Sequence, residues 1–124
     1  MIPARYDLTI HQGATLQRWY RLQYPDGSTA DIEDAGYNVA ALHVRNEYGG
    51  DLILSLTTFN GGVSITYQAD ADGVFWSGYI YADAATTAAL EDWGEGVYDL
   101  EITDGTHTHR IIEGIARLSP EATT

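Results

Sequence analysis

The sequence alternates apolar and polar residues in short runs that open or close at a glycine. Two runs show the pattern most clearly: residues 6–10, just before Gly13, and residues 97–103, just before Gly105. A period of two places successive side chains on opposite faces of a strand, so both runs predict β-strands with one buried face. The chain is therefore restricted to folds built from short, half-buried strands.

Similar runs recur along the chain between turn sequences such as Pro25-Asp26-Gly27 and Asn60-Gly61-Gly62. Together they predict about eight strands, and residues 83–93 form the one good helical segment, with Asp83 able to cap its first turn. This pattern predicts an all-β fold, an antiparallel immunoglobulin-like β-sandwich with one short helix of two or three turns. A small barrel is the alternative.

The alternation also predicts which side chains face the core. In residues 51–57 the three leucines, Leu52, Leu54 and Leu56, are expected to point inward. Residues 37–45 are apolar on both faces, which is typical of a central strand. In the last hairpin, marked by Asp104-Gly105, the inward residues are expected to be Tyr98, Leu100 and Ile102.

Length and cysteine content set the domain organisation. The chain has 124 residues and no cysteine. It is therefore expected to form a single β-sandwich domain over residues 1–124, with termini 1–4 and 121–124 extended or frayed. Disulfides and thiolate metal sites are excluded.

The charge is strongly acidic, with 18 Asp and Glu against 6 Lys and Arg and a formal net charge of −12. A phosphate backbone or an anionic membrane would repel such a surface, so neither nucleic acid nor a membrane is an expected partner. The charge itself has two interpretations, solubility or an acidic face that docks on a basic partner. We expect no transmembrane helix and no signal peptide, because the required apolar stretches are missing.

Candidate chemistry is sparse. His107 and His109 share one face of a strand and could contribute to a metal site, but a solvated hairpin explains them as well. The acidic turn that starts at Asp70 lacks an acidic residue at position 12 of a calcium loop, which is Tyr81. No Gly-x-Ser-x-Gly motif and no phosphate-binding glycine loop occur. The sequence therefore predicts a protein that is not an enzyme and that holds no cofactor or metal.

Aromatic residues are abundant, with 9 Tyr, 3 Trp and 2 Phe. The alternation assigns four of them to outward faces: Trp19, Phe75, Tyr79 and Tyr81. Exposed Trp and Tyr are typical of protein interfaces, which makes these residues a candidate interface. The alternatives are that these faces are the core side, or that the rings bind sugars.

A family resemblance joins these observations. The residues that carry it are Leu8-x-Ile10-x-Gln12-Gly13-Ala14-Thr15, Asp26-Gly27, Gly36-Tyr37, Val44-Arg45, Thr87-Ala88-Ala89-Leu90, Tyr98-Asp99-Leu100-Glu101 and Arg110-Ile111-Ile112-Glu113-Gly114. The chain resembles small β-sandwich virion proteins of tailed bacteriophages, and its first half is similar to the N-terminal domain of siphophage baseplate upper proteins. It departs from them at residues 31–37, where the loop is two residues longer, and at Arg18 and Trp19. Arg18 is therefore added to the candidate interface, which already includes Trp19.

The resemblance implies a non-enzymatic structural component of a tailed-phage virion, in the tail, baseplate or neck. Such a protein would be assembled in the host cytoplasm and would bridge other virion proteins in multiple symmetric copies. Two alternatives remain open, a capsid decoration protein and a host-glycan-binding module.

Overall fold

The computed structural model describes residues 4–22, 39–70, 73–91, 94–103, 105–106 and 108–120, and at residues 4, 21–22, 66–70 and 73–77 the description covers the backbone alone. The termini expected to fray lie outside the described residues, apart from Ala4, and so does the longer loop at 31–37. The positions of Phe75 and Trp76 are described, but their side chains are not.

The described residues form nine strands and one short helix, and the prediction of an all-β fold is confirmed. In chain order the elements are β1 (Ala4–Arg5), β2 (Leu8–His11), β3 (Leu16–Leu22), β4 (Val39–Arg45), β5 (Leu52–Thr57), β6 (Val63–Asp70), β7 (Gly73–Ala82), α1 (Ala84–Ala88), β8 (Glu95–Thr103) and β9 (Thr108–Ser119).

The larger of the two sheets has six strands in the order β1-β9-β8-β4-β5, with β2 also paired to β9. Strand β4 lies between β8 and β5, as its apolar faces predict. The hairpin marked by Asp104-Gly105 joins β8 to β9, and Gly105 has a φ of 94°, which favours glycine. The smaller sheet is antiparallel and has three strands in the order β3-β7-β6.

Both N-terminal strands pair with β9 in parallel, so the expectation of a wholly antiparallel fold is wrong here. Gly114, in the middle of β9, permits this close approach. A Cβ atom at this position would lie 2.1 Å from the backbone oxygen of Tyr6, so only glycine lets the first segment pass this close. The Tyr6 amide then donates to Glu113 O, and the Asp7 carboxylate accepts from the Ile115 amide.

Buried side chains from both sheets form one hydrophobic core. Strand β8 follows its predicted alternation, with Tyr98, Leu100 and Ile102 no more than 2% exposed. In the smaller sheet the buried side chains are Leu16, Tyr20, Val63, Ile80 and Ala82. The period-two pattern therefore identified the core face of these strands correctly.

The core face of β5 is only partly as predicted. Leu54 and Leu56 are buried, but Leu52 is 48% exposed. The register between β4 and β5 shifts between Val44 and Arg45, so that Leu54 pairs with Val44 and Leu52 with Arg45. Such a bulge inserts an unpaired residue and breaks the alternation beyond it.

The helix is shorter than the predicted segment of residues 83–93, because α1 ends at Ala88. Asp83 caps its start as predicted, with its carboxylate accepting from the Thr86 amide at 2.8 Å. Beyond the helix, the Gln12 side-chain amide donates to the carbonyl oxygen of Leu90 at 3.1 Å. A side chain from another part of the chain thus satisfies a carbonyl that a longer helix would have paired internally.

Candidate functional site

Three aromatic side chains lie together on the outer face of the smaller sheet, two of them exposed and Tyr79 half-buried, and we call them the aromatic ladder: Trp19, Tyr79 and Tyr81. Trp19 of β3 pairs directly with Tyr79 of β7, and their ring centroids are 4.4 Å apart. Tyr79 and Tyr81 follow each other on the same face of β7, with centroids 6.4 Å apart. Trp19 is 60% exposed and Tyr81 37% exposed, so the rings form a continuous surface open to solvent.

Strand alternation explains why these rings face outward. On β3 the buried side chains are Leu16 and Tyr20, which places Trp19 on the other face. On β7 the side chains of Ile80 and Ala82 are buried, which places their neighbours Tyr79 and Tyr81 on the outer face. Cross-strand aromatic pairs of this kind also stabilise the sheet.

The structure brings together three of the five sequence-predicted residues. Arg18 lies on the opposite face of β3, at the register position of buried Ile80, although Arg18 itself is exposed. Its side chain is therefore not part of the ladder. The alternation along β7 assigns the backbone of Phe75 to the same face as Tyr79, but its side chain is outside the described part of the structure.

Sequence reasoning missed Phe59, which at 84% exposed is the most exposed large apolar side chain in the described part of the chain. It stands in the turn between β5 and β6, where Asn60 holds the backbone. The side-chain oxygen Oδ1 of Asn60 accepts from the backbone amides of Thr57 and Gly62, both at 2.9 Å, and its side-chain Nδ2 donates to Ser55 O at 3.0 Å. The available signal was an apolar residue placed inside a Thr-Asn-Gly-Gly turn, where local hydrogen bonding decides the structure.

The outer face of the larger sheet has a different, charged character. Arg110 lies between two carboxylates, with Nε 3.3 Å from Asp99 and Nη1 3.3 Å from Glu113. A cavity of about 280 Å³ opens beside this group. Its lining includes His43, Arg45, Tyr48, Asp99, Glu101 and Arg110. Because Arg110 is already paired, and its partners are partly exposed, the group contributes little to stability.

Buried tyrosines connect this sheet to the smaller one. The Tyr98 hydroxyl donates to Tyr6 O, and its oxygen lies 3.4 Å from the hydroxyl of Tyr20. Desolvation raises the pKa of Tyr98 well above its usual range, and the hydrogen bond with Tyr20 adds to this shift. Desolvation likewise raises the pKa of Tyr20. Both phenols are therefore neutral hydrogen-bonding groups in the core at ordinary pH.

No group of three or more His, Asp or Glu side chains in the described ranges is arranged to hold a metal ion. His107 of the candidate histidine pair lies outside those ranges. Ala71 and Asp72, in the acidic turn that starts at Asp70, lie outside them as well. Among the helices of the described residues, none is long and apolar enough to span a membrane. The aromatic ladder is the surface for which we propose a function.

Comparison of the sequence with protein-family models and with curated proteins finds no match. Function is consequently inferred from the surfaces described above and from the resemblance noted in the sequence.

Proposed function

We propose that this protein is a non-enzymatic structural component of a tailed-phage virion, in the tail, baseplate or neck, that bridges other virion proteins in multiple copies. The observation that carries the proposal is the aromatic ladder, where Trp19 is 60% exposed on a strand whose other face is packed in the core. Aromatic side chains are the groups that contribute most to binding when a partner excludes water from them.

The strand order supports a finer description of the fold within this proposal. We propose an immunoglobulin-like β-sandwich, in which β3-β7-β6 forms one layer and β9-β8-β4-β5 the other. In this description β3, β7 and β6 would correspond to strands B, E and D of a variable-type immunoglobulin domain. Strands β9, β8, β4 and β5 would correspond to its strands G, F, C and C′. A crystal structure in which the mean strand directions of the layers differ by about 30° would support this description.

Acidity supports the choice of a protein partner. The net charge of −12 repels nucleic acid and anionic lipid, while it attracts a basic protein surface. Repeated copies need only weak single contacts, because symmetry multiplies them into a stable assembly.

Mass spectrometry of purified virions tests the proposal directly. We expect the protein in mature particles, at a copy number that matches the symmetry of the tail or baseplate, and cryo-electron microscopy would place it there. The Trp19→Ala variant should fold normally but show reduced incorporation, whereas the matched control Gln17→Ala on the same exposed face should be incorporated normally. Absence of the protein from mature virions would contradict the proposal, and density on the head lattice would instead support a capsid decoration protein.

The ladder also favours a second candidate, a host-glycan-binding module, because exposed rings stack on the apolar faces of sugars. The test is a glycan array probed with the purified protein and with Trp19→Ala. Binding to a defined glycan that is lost in the variant would support this function. An array without hits at high protein concentration would contradict the glycan-binding function.

A further inference from the structure

We infer that β6 pairs with β6 of a second copy of this chain, which joins the two smaller sheets into one. This inference concerns contact between copies and does not depend on the virion role proposed above. It rests on the free edge of β6, on the protection of the other edges, and on the charge and register of the strand itself.

The backbone of β6 has one edge paired with β7 and one edge with which no described strand pairs. The Tyr81 amide donates to Gly62 O at 2.9 Å, so positions 62 and 81 form a hydrogen-bonded pair across β6 and β7. Alternation along an antiparallel pair then turns the amides and carbonyls of residues 63, 65, 67 and 69 away from β7. Within the described part of the chain, no strand pairs with that side.

The other edge strands carry features that discourage pairing between molecules. Strand β3 has two arginines, Arg18 and Arg21. The Asn60 side chain is hydrogen-bonded to two backbone groups of β5, the carbonyl oxygen of Ser55 and the amide of Thr57. Strands β1 and β2 have two and four residues respectively. Charges, occupied backbone groups and short length are the means by which natural sheets prevent edge-to-edge association.

Among the described residues, strand β6 has none of these features apart from the charge of Asp70 at its end. It is eight residues long, contains no proline, and pairs with β7 without a register shift. No Asp, Glu, Lys or Arg occurs from position 52 to position 69, in a chain whose net charge is −12. A long, regular edge with no charge before its last residue is a template for another strand.

The charge distribution selects a second copy as the occupant. Two copies, each with a net charge of −12, repel each other over most of their surfaces. An uncharged edge is where they can approach without placing carboxylates opposite each other. A basic partner, in contrast, would gain more by binding one of the acidic faces.

The strand is also self-complementary in register. An antiparallel pair centred on Thr66 places residue 63 opposite 69 and residue 65 opposite 67 of the other copy, which would form about eight hydrogen bonds. Asp70, the one charged residue of β6, lies opposite Gly62 in this register and not opposite a like charge. The two-fold axis is perpendicular to the sheet, so both aromatic ladders lie on the same face of a six-stranded sheet.

Sedimentation velocity over a concentration series tests this pairing. The wild-type protein should dimerise. Thr66→Glu and Thr66→Lys each place like charges opposite each other at the axis and should raise the dissociation constant by roughly fivefold. An equimolar mixture of the two variants should restore dimerisation as a heterodimer, which also shows that both variants are folded.

Gln17→Glu and Gln17→Lys are the matched controls, because they make the same charge changes on the outer edge strand β3 of the same sheet. They should dimerise like the wild type. A wild-type protein that stays monomeric at its solubility limit would overturn the inference. So would Thr66 variants that dimerise as the wild type does, or Gln17 variants that are weakened equally. Detection of the protein in virions would be unaffected by any of these results.

Discussion

At the scale of single residues, the Tyr98 hydroxyl is the polar group that connects three parts of the core. It donates to Tyr6 O in the N-terminal segment and lies 3.4 Å from the Tyr20 hydroxyl of β3, while Tyr98 is 2% exposed. A buried hydrogen bond of this kind contributes modestly when it is made, but a partner left without it carries the full cost of desolvation.

We therefore expect Tyr98→Phe to lower the free energy of unfolding by about 1–2 kcal/mol, since it leaves Tyr6 O without its donor. Urea denaturation measures the change. Tyr48→Phe is the control, because Tyr48 is 64% exposed and its variant should be within about 0.5 kcal/mol of the wild type. Equal stabilities for the two variants would mean that the Tyr98 hydroxyl has no structural role.

The raised pKa values of Tyr98 and Tyr20 predict a loss of stability at alkaline pH. An unfolded tyrosine ionises near the ordinary pKa of 10.0, whereas burial keeps these two protonated in the folded protein. The unfolded state then binds fewer protons above that pH, so the free energy of unfolding falls as pH rises. The contribution is fully present below pH 10 and is lost above it. The urea midpoint of unfolding should decline as the pH rises above 10, and it should decline less steeply in Tyr98→Phe. A midpoint that does not change with pH would contradict the raised pKa values of the two buried tyrosines.

At the scale of elements, α1 is attached to the strands through Thr87, which is fully buried. Its hydroxyl donates to Ala14 O at 2.8 Å and accepts from the Gly13 amide at 3.1 Å, so one side chain connects the helix to the turn between β2 and β3. Five residues are too few for a helix to be stable alone. The position of α1 therefore depends on this contact.

Thr87→Val keeps the shape of the side chain but removes both hydrogen bonds. We expect it to lower the free energy of unfolding by about 2 kcal/mol, because two partly buried backbone groups, the Gly13 amide and Ala14 O, lose their partner. Chemical denaturation measures this, with Thr87→Ser as the control because it keeps the hydroxyl; Thr86 would be a poor control, since its side chain is hydrogen-bonded to the capping Asp83. If both variants lost the same small amount, the hydroxyl of Thr87 would not be what holds the helix in place.

The parallel pairing of β2 with β9 makes a second prediction at this scale. Gly114→Ala should displace the segment at Tyr6, because the added methyl group would meet its backbone oxygen at 2.1 Å. We expect a lower melting temperature and faster hydrogen exchange of the β2 amides. Gly105→Ala is a useful comparison, since that site strains the backbone at a φ of 94° but has open space around it. Unchanged exchange in β2 would show that the chain adapts to the methyl group without loss of pairing.

At the scale of the whole molecule, self-repulsion is the dominant electrostatic effect. The five ion pairs of the described residues involve Arg5, Arg110 and Arg117, all of them substantially exposed, so each contributes little. The excess of carboxylates that remains unpaired repels across the surface and opposes compaction.

Sodium chloride should therefore raise the melting temperature, because it screens this repulsion more than it weakens the few ion pairs. Thermal unfolding at increasing salt concentration measures the effect, and it should disappear near the sequence pI of about 4.3. A melting temperature that falls with salt would mean that the ion pairs outweigh the net charge.

Local patterns were sufficient for much of this description. The alternation predicted the core faces of β3 and β8, and the same alternation predicted that Trp19, Tyr79 and Tyr81 face outward. Asp83 capped its helix and Asp104-Gly105 marked a hairpin, as expected from their local geometry. Each of these depends on a few neighbouring residues, and a single sequence contains that information.

Tertiary structure decided the features that depend on distant partners. Three features each involve a second strand or a distant side chain. They are the parallel pairing of the N-terminal strands with β9, the exposure of Leu52 beyond a bulge, and the early end of α1, after which the Gln12 side chain binds the Leu90 carbonyl. The reason is physical: all strands offer the same backbone donors and acceptors, so hydrogen bonding alone does not choose between partners. Side-chain packing in the assembled core makes that choice. The sequence by itself determined only which face of each strand was apolar and so able to pack in the core.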